Sequence, residues 1–362
     1  MKIRNYIIAV VLSAVTVAFV SCNKQENKKE GEAEKQNVQV AIVDTADQNN
    51  NFYDNEETFE LKTSELEVVG EIKNPGKVDF SKLPVHSVIV KETLLKPDGD
   101  TFIGAYRYDG YSLFDILSNF QLDKKNAEDF RPIIDLYVEI ENAKGEKVVL
   151  TWGEIFYPNH LHEIIIANGV MRIVPSKTKE LWSIPESSRL VVSSDLITER
   201  NISSPVKITV KSFDINLKVE KGKTPLFSDN LNMVVNGDTV ANLKSNPQGL
   251  QIQKLHTIFY GRGRGIHSTT PFTGTFLKEF VAKFVTRTKE SLQTGLFVVA
   301  ADDGYRSVYS YSEVCNRNDQ ADILLVFRPE EKEDAVFRTF PSCDFFSDRA
   351  VKAITDIYYF GK

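Results

Sequence analysis

The segment "SRLVVSSDLITERNISSPVKITV" (188–210) returns in altered form as "FRTFPSCDFFSDRAVKAITDIYY" (337–359). Arg189, Asp195 and Arg200 fall in register with Arg338, Asp344 and Arg349, so Arg-x5-Asp-x4-Arg is written twice. Upstream, "YDGYSLFDILSNF" (108–120) matches "FTGTFLKEFVAKF" (272–284), "LYVEIENAKGEKVVLTWGEIF" (136–156) matches "LFVVAADDGYRSVYSYSEVC" (296–315), and "EIIIAN" (163–168) matches "DILLVF" (322–327). A chain with such order and spacing builds one supersecondary unit two times.

Within each unit, Leu113, Ile116, Leu117 and Phe120, or Leu277, Phe280, Val281 and Phe284, recur at helical spacing and predict one short amphipathic helix. The apolar runs around Gly145 and Gly304 predict hairpins, with Asp302-Asp303-Gly304 as a turn. The expected fold class is therefore α+β, as two tandem strand-rich domains over residues 61–213 and 214–362, the second more diverged.

The N-terminus reads as an export signal over residues 1–21: Lys2 and Arg4, an apolar run from Tyr6 to Val20, then Ser21-Cys22. Phe19-Val20-Ser21-Cys22 resembles a bacterial lipobox, which makes Cys22 a lipidation site and the protein an envelope lipoprotein; ordinary cleavage to a soluble periplasmic protein is the alternative. Residues 22–60 are rich in Lys, Glu, Gln and Asn and are expected to form a disordered tether. Net charge −6 provides no extended basic field, which argues against nucleic acid as a partner. The two remaining cysteines, Cys315 and Cys343, lack zinc-ribbon and CxxC spacing and are either one disulfide or two buried thiols.

"VVGEIKNPGKVDFSKLP" (68–84), "YDGYSLFDIL", "VVLTWGEIF" and the Arg-x5-Asp close together resemble the sulfite-oxidase-type molybdopterin-binding domain, with residues 66–211 carrying the full succession and 253–361 all but its opening. The resemblance implies a molybdenum–pterin cofactor held by one cysteine thiolate on the loop before the "y.G..L" helix. The corresponding loops, 85–110 and 256–274, contain no Cys, and Glu92 and Asp98 are hard donors in place of a soft one. The implied fold is thus expected without its implied chemistry, and no cofactor is expected; a molybdopterin oxidoreductase with an atypical ligand is the alternative.

In the second loop stands "FYGRGRGIHS" (259–268). Gly261 and Gly263 free the backbone to approach a ligand, while Arg262, Arg264 and His267 offer donors to phosphate, sulfate or carboxylate. Arg306, Arg338 and Arg349 are secondary anion-binding candidates; Arg189 and Arg338 are alternatively ties to Asp195 and Asp344 in the closing loops. His160 and His162, at i, i+2 beside Glu163, read as a solvated loop in preference to half a metal site. P-loop, GxSxG, dinucleotide and HExxH motifs are missing. The functional expectation is a lipid-anchored, non-catalytic binding module for a small anion, with a membrane and an envelope protein as partners; a structural subunit of a membrane-associated complex is a further alternative.

Overall fold

The computed structural model describes residues 50–330 and 336–361. The export signal, Cys22 and most of the tether lie outside the described residues. The described residues form one compact unit.

Strands dominate. One sheet joins Thr58–Glu60, Ile164–Arg172, Gly99–Ser112 and His86–Lys96, with Arg189–Val192 paired to Ile164–Arg172. A second runs in the order Gly76–Lys77, Glu67–Gly70, Pro205–Ser212, Leu136–Asn142 and Lys147–Thr151. The third repeats that order with Asp238–Leu243, Leu231–Val235, Ile354–Phe360, Leu296–Ala301 and Arg306–Ser310. In both, the second joint is the same: Pro205–Ser212 runs parallel to Glu67–Gly70, and Ile354–Phe360 parallel to Leu231–Val235. The fourth sheet joins Gln253–Leu255, Phe272–Phe276, Ile323–Phe327 and Phe337–Pro341.

These observations overturn the expected α+β class and its sulfite-oxidase-like layering. The described residues are 43% strand and 11% helix, with four small sheets arranged as the blades of a four-bladed β-propeller. Two of those blades carry a parallel pair and so are not simple meanders. The helical spacing in 113–120 and 277–284 was too brief to build a layer: α1 (Leu113–Ser118) and α3 (Leu277–Val281) stop after six and five residues. α2 (Trp152–Phe156), α4 (Lys289–Thr294) and α5 (Tyr311–Cys315) are equally short. α1 and α3 each bury three apolar side chains, which is all that one and a half turns can reach.

Order also begins earlier than expected. Thr58–Glu60, assigned to the tether, pairs antiparallel with Gly169–Met171, and Arg107 holds the approach through Tyr53 O, Asp54 and Thr58.

The halves meet through apolar and ionic contacts. Val149 packs with Leu296, Val298 and Val308 from the other half, with Phe213 and Phe360 against them. Beside this lies a buried set of charges with two-fold likeness. Arg200 donates to Asp195 through Nε and Nη2 at 2.8 and 2.7 Å and to Glu154 Oε1 at 2.7 Å. Arg349 donates to Asp344 through the same two nitrogens at 2.8 and 2.7 Å. Its Nη1 stands 2.5 Å from Glu313 Oε1, an ion pair whose angle falls outside that of a hydrogen bond. Thr151 and Ser310 begin α2 and α5 as capping boxes with Glu154 and Glu313. Each hydroxyl also donates across the seam, Thr151 to Glu313 at 2.9 Å and Ser310 to Glu154 at 2.7 Å. The caps of the two halves are thereby interlocked.

The expected Arg189–Asp195 tie is replaced by Arg200–Asp195. Arg189 turns instead to Glu92, the Tyr108 hydroxyl and Asn201 O.

Arg200 and Arg349 are 1% and 0% exposed, so loss of either leaves buried carboxylates without their counter-charge. Arg200→Ala and Arg349→Ala are each expected to lower the free energy of unfolding by about 3–5 kcal/mol, measured by urea denaturation. Gly153→Ala would place a Cβ 2.3 Å from Arg349 Nη1 and is expected to cost about 1–3 kcal/mol. A variant as stable as the wild type would contradict this account of the seam.

Burial pushes Glu313 from 4.5 up to about 7, against the pull of Arg349 and with a further push from Glu154. The folded chain then holds this proton more tightly than the unfolded chain. Stability from this source is present below about pH 4.5 and is lost as pH rises through about 7. Glu313→Gln is expected to flatten that part of the stability–pH profile, whatever its effect on absolute stability.

Candidate functional site

The closing loops that carry Asp195 and Asp344 also touch the opposite half in matching ways. Asn318 N donates to Ser194 O at 2.9 Å, and Asn159 N donates to Cys343 O at 3.0 Å. Beside the first contact opens a groove of about 620 Å³, between residues 87–89, the turn 159–163, Ser193 and Asn318. Beside the second lies a hollow of about 320 Å³, lined by Asn159, Ile258, Tyr260, Ser342 and Phe345 among others. Asn159 borders both.

Behind the wall of the groove, strand, helix and turn bring three side chains together. His86 starts the strand His86–Lys96 and is fixed by pairing with Gly110. Asp115 is in the first turn of α1, where its backbone N–H is capped by the Ser112 hydroxyl. His162 comes from the turn. The Oδ2 of Asp115 is 2.8 Å from His86 Nε2, accepts from Ser112 Oγ at 2.5 Å, and lies 3.5 Å from His162 Nδ1. The two imidazoles stack with centroids 4.0 Å apart and an interplanar angle of 6°. Burial lowers the pKa of His162 and His86 lowers it further, with Asp115 opposing. Burial raises that of Glu163, against the pull of His160.

His160 and His162 therefore do not act as a pair. His160 is exposed, whereas His162 joins His86, which is 76 residues distant in sequence. Neither His86 nor Asp115 was marked by the sequence, since nothing in the spacing links them to residue 162.

The residues of "FYGRGRGIHS" form a two-stranded ribbon, Phe259–Gly261 with Gly265–Ser268. Its glycines have local explanations. Gly261 leaves room for the His267 ring, whose Nε2 would stand 2.1 Å from an added Cβ, and Gly265 has φ +73°. Gly263 faces open space. Arg262 pairs with Asp348 at 3.1 Å, and Arg264 is exposed with no partner among the described residues. Of the five primary residues, only Gly261 and His267 are brought together.

The secondary candidates lie inside the protein. Arg349 is consumed by the seam. Arg306 is 3% exposed, stacks on Phe130 at 4.3 Å and approaches Asp135 at 3.5 Å, while its Nε and Nη1 have no hydrogen-bond partner. Arg338 is buried on the strand Phe337–Pro341.

Cys315 and Cys343 are free thiols, so the disulfide alternative is not the one adopted. Burial pushes Cys315 up to about 12 and raises Cys343 as well. These residues do not fit a thiolate-held molybdenum centre: both thiols stay protonated, and neither borders the groove or the hollow. No family model matches the chain, and no curated protein matches it. Among the described residues no helix is long and apolar enough to cross a membrane.

Cys315 and Cys343 are expected to react with a thiol reagent slowly in the native protein and at the rate of free cysteine after unfolding. Fast native labelling of Cys343 would show that its pocket opens.

Proposed function

We propose that this protein is a non-catalytic binding module of the bacterial cell envelope, held to a membrane by lipid on Cys22, and that it takes a small anionic ligand in the groove at the seam. The observation that carries the reading is the chemistry of the groove wall. In a chain of net charge −6, it gathers His160, His162 and Asn159, with Ser193 and Asn318 alongside and one carboxyl, Glu163, whose pKa burial raises. The side chains of Asn159 and His160 are exposed and make no hydrogen bond among the described residues, so the Asn159 amide and the His160 ring can donate to a carboxylate, sulfate or phosphate. The walls are supported by backbone hydrogen bonds between the halves, which limits the ordering cost of binding. Arg262 and Arg264 belong to the ribbon whose Tyr260 borders the neighbouring hollow; Arg262 is paired with Asp348, and Arg264 supplies a second, unpaired positive charge among the described residues.

A second reading has its own observation. Ile258, Ile266 and Phe345 are 67%, 61% and 51% exposed on the ribbon and the facing closing loop. Such apolar surface suits an envelope protein partner, as in a membrane-associated complex.

The test is thermal stability in phosphate, sulfate, acetate and succinate. A ligand at 100 times its Kd stabilises by about 2.7 kcal/mol. The wild type is expected to gain stability with at least one anion, and the double variant Asn159→Ala, His160→Ala to lose that gain. If Arg262→Ala, Arg264→Ala abolishes the gain and the groove variant retains it, the site is on the ribbon. If no anion stabilises the wild type, the anion reading is wrong.

A further inference from the structure

We propose that His86, Asp115 and His162 form a binding site for a divalent transition metal of the zinc, copper or nickel type, open to the groove. Their three ligand atoms lie within 4.8 Å of one another. Two imidazoles and one carboxylate are the donor set that zinc takes in sites with one coordination position left open. Imidazole suits copper and nickel equally well.

One oxygen, Oδ2 of Asp115, is the point on which His86 Nε2, the Ser112 hydroxyl and His162 Nδ1 converge. A carboxylate held by a hydroxyl and fixed at the start of a helix is already oriented, as the supported ligands of metal sites are. His86 is equally fixed, on a strand with its side chain 23% exposed. The parallel rings set a condition. A metal must lie near the plane of each imidazole it binds, and planes that differ by 6° at 4.0 Å do not meet at one ion. One ring therefore turns on binding. His162 is the ring able to do so: it stands on a turn outside any strand and is 42% exposed. His86 and Asp115 are the rigid half of the site, and His162 closes it from the groove side. His160, two residues away, is exposed and stands outside this group of ligand atoms, so it supplies the control.

The inference does not depend on an anion in the groove. It concerns binding of the metal alone, read without any anionic ligand beyond the buffer chloride.

The full-length protein, purified without a histidine tag, is titrated with zinc chloride by calorimetry and with Cu²⁺ by electron paramagnetic resonance. One ion per chain is expected. His86→Ala, Asp115→Ala and His162→Ala are each expected to weaken zinc binding at least as much as loss of a supporting hydrogen bond does, about 10- to 100-fold. His160→Ala is expected to leave it unchanged. His162 is on an exposed turn, so its variant is the one least liable to unfold, and the Cu²⁺ spectrum gives a direct reading: two coupled nitrogens in the wild type and one in His162→Ala. Absence of stoichiometric binding by the wild type would overturn the proposal. So would binding that His160→Ala abolishes and His86→Ala spares.

Discussion

Two guanidiniums with essentially no solvent exposure, Arg200 and Arg349, set the terms for everything around them. Each faces two carboxylates in its own half, and each capping hydroxyl donates to the glutamate of the other half. Charges buried in this way contribute little net stability compared with apolar side chains of the same size, yet breaking one pairing is costly. The arrangement thus favours one register of the halves over others more than it adds to the stability of either.

The groove is a by-product of that register. Asp195 and Asp344 are drawn inward by their arginines, which bends the loops 193–196 and 342–345 across the seam. Those bends place Ser194 O and Cys343 O against Asn318 and Asn159 of the opposite half. The wall residues therefore stand on backbone contacts that exist only when the halves are docked. The histidine cluster lies one step away: His162 follows Asn159 on the same turn, its ring stacked on His86 with Nδ1 3.2 Å from the Ser112 hydroxyl.

Much of this was legible in the chain, at the level of local pattern. The doubled Arg-x5-Asp-x4-Arg marks the seam arginines and their aspartates, although the aspartate is bound by the second arginine and not by the first. "TWGE" and "SYSE" carry the capping-box spacing at 151–154 and 310–313, where the sequence predicts a helical turn carrying Glu154 or Glu313 and the structure has one. Their hydrogen bonds to the opposite glutamates could not be read, because nothing local encodes a partner some 160 residues away. Fold class failed for a related reason. Helical spacing over eight residues does not reveal whether a helix continues, and here Asn119 and Ala282 end α1 and α3. Gly261 and Gly265 in "FYGRGRGIHS" are required by the packing of His267 and the turn of a ribbon, so letters that suggested a cradle have a local explanation. His86 and His162 meet through sheet topology alone.

The central claim is that the interlocked caps make both halves one cooperative body. Differential scanning calorimetry of the wild type tests it directly. A single transition whose calorimetric and van't Hoff enthalpies agree is the predicted result. Two resolved transitions, one for each half, would contradict it.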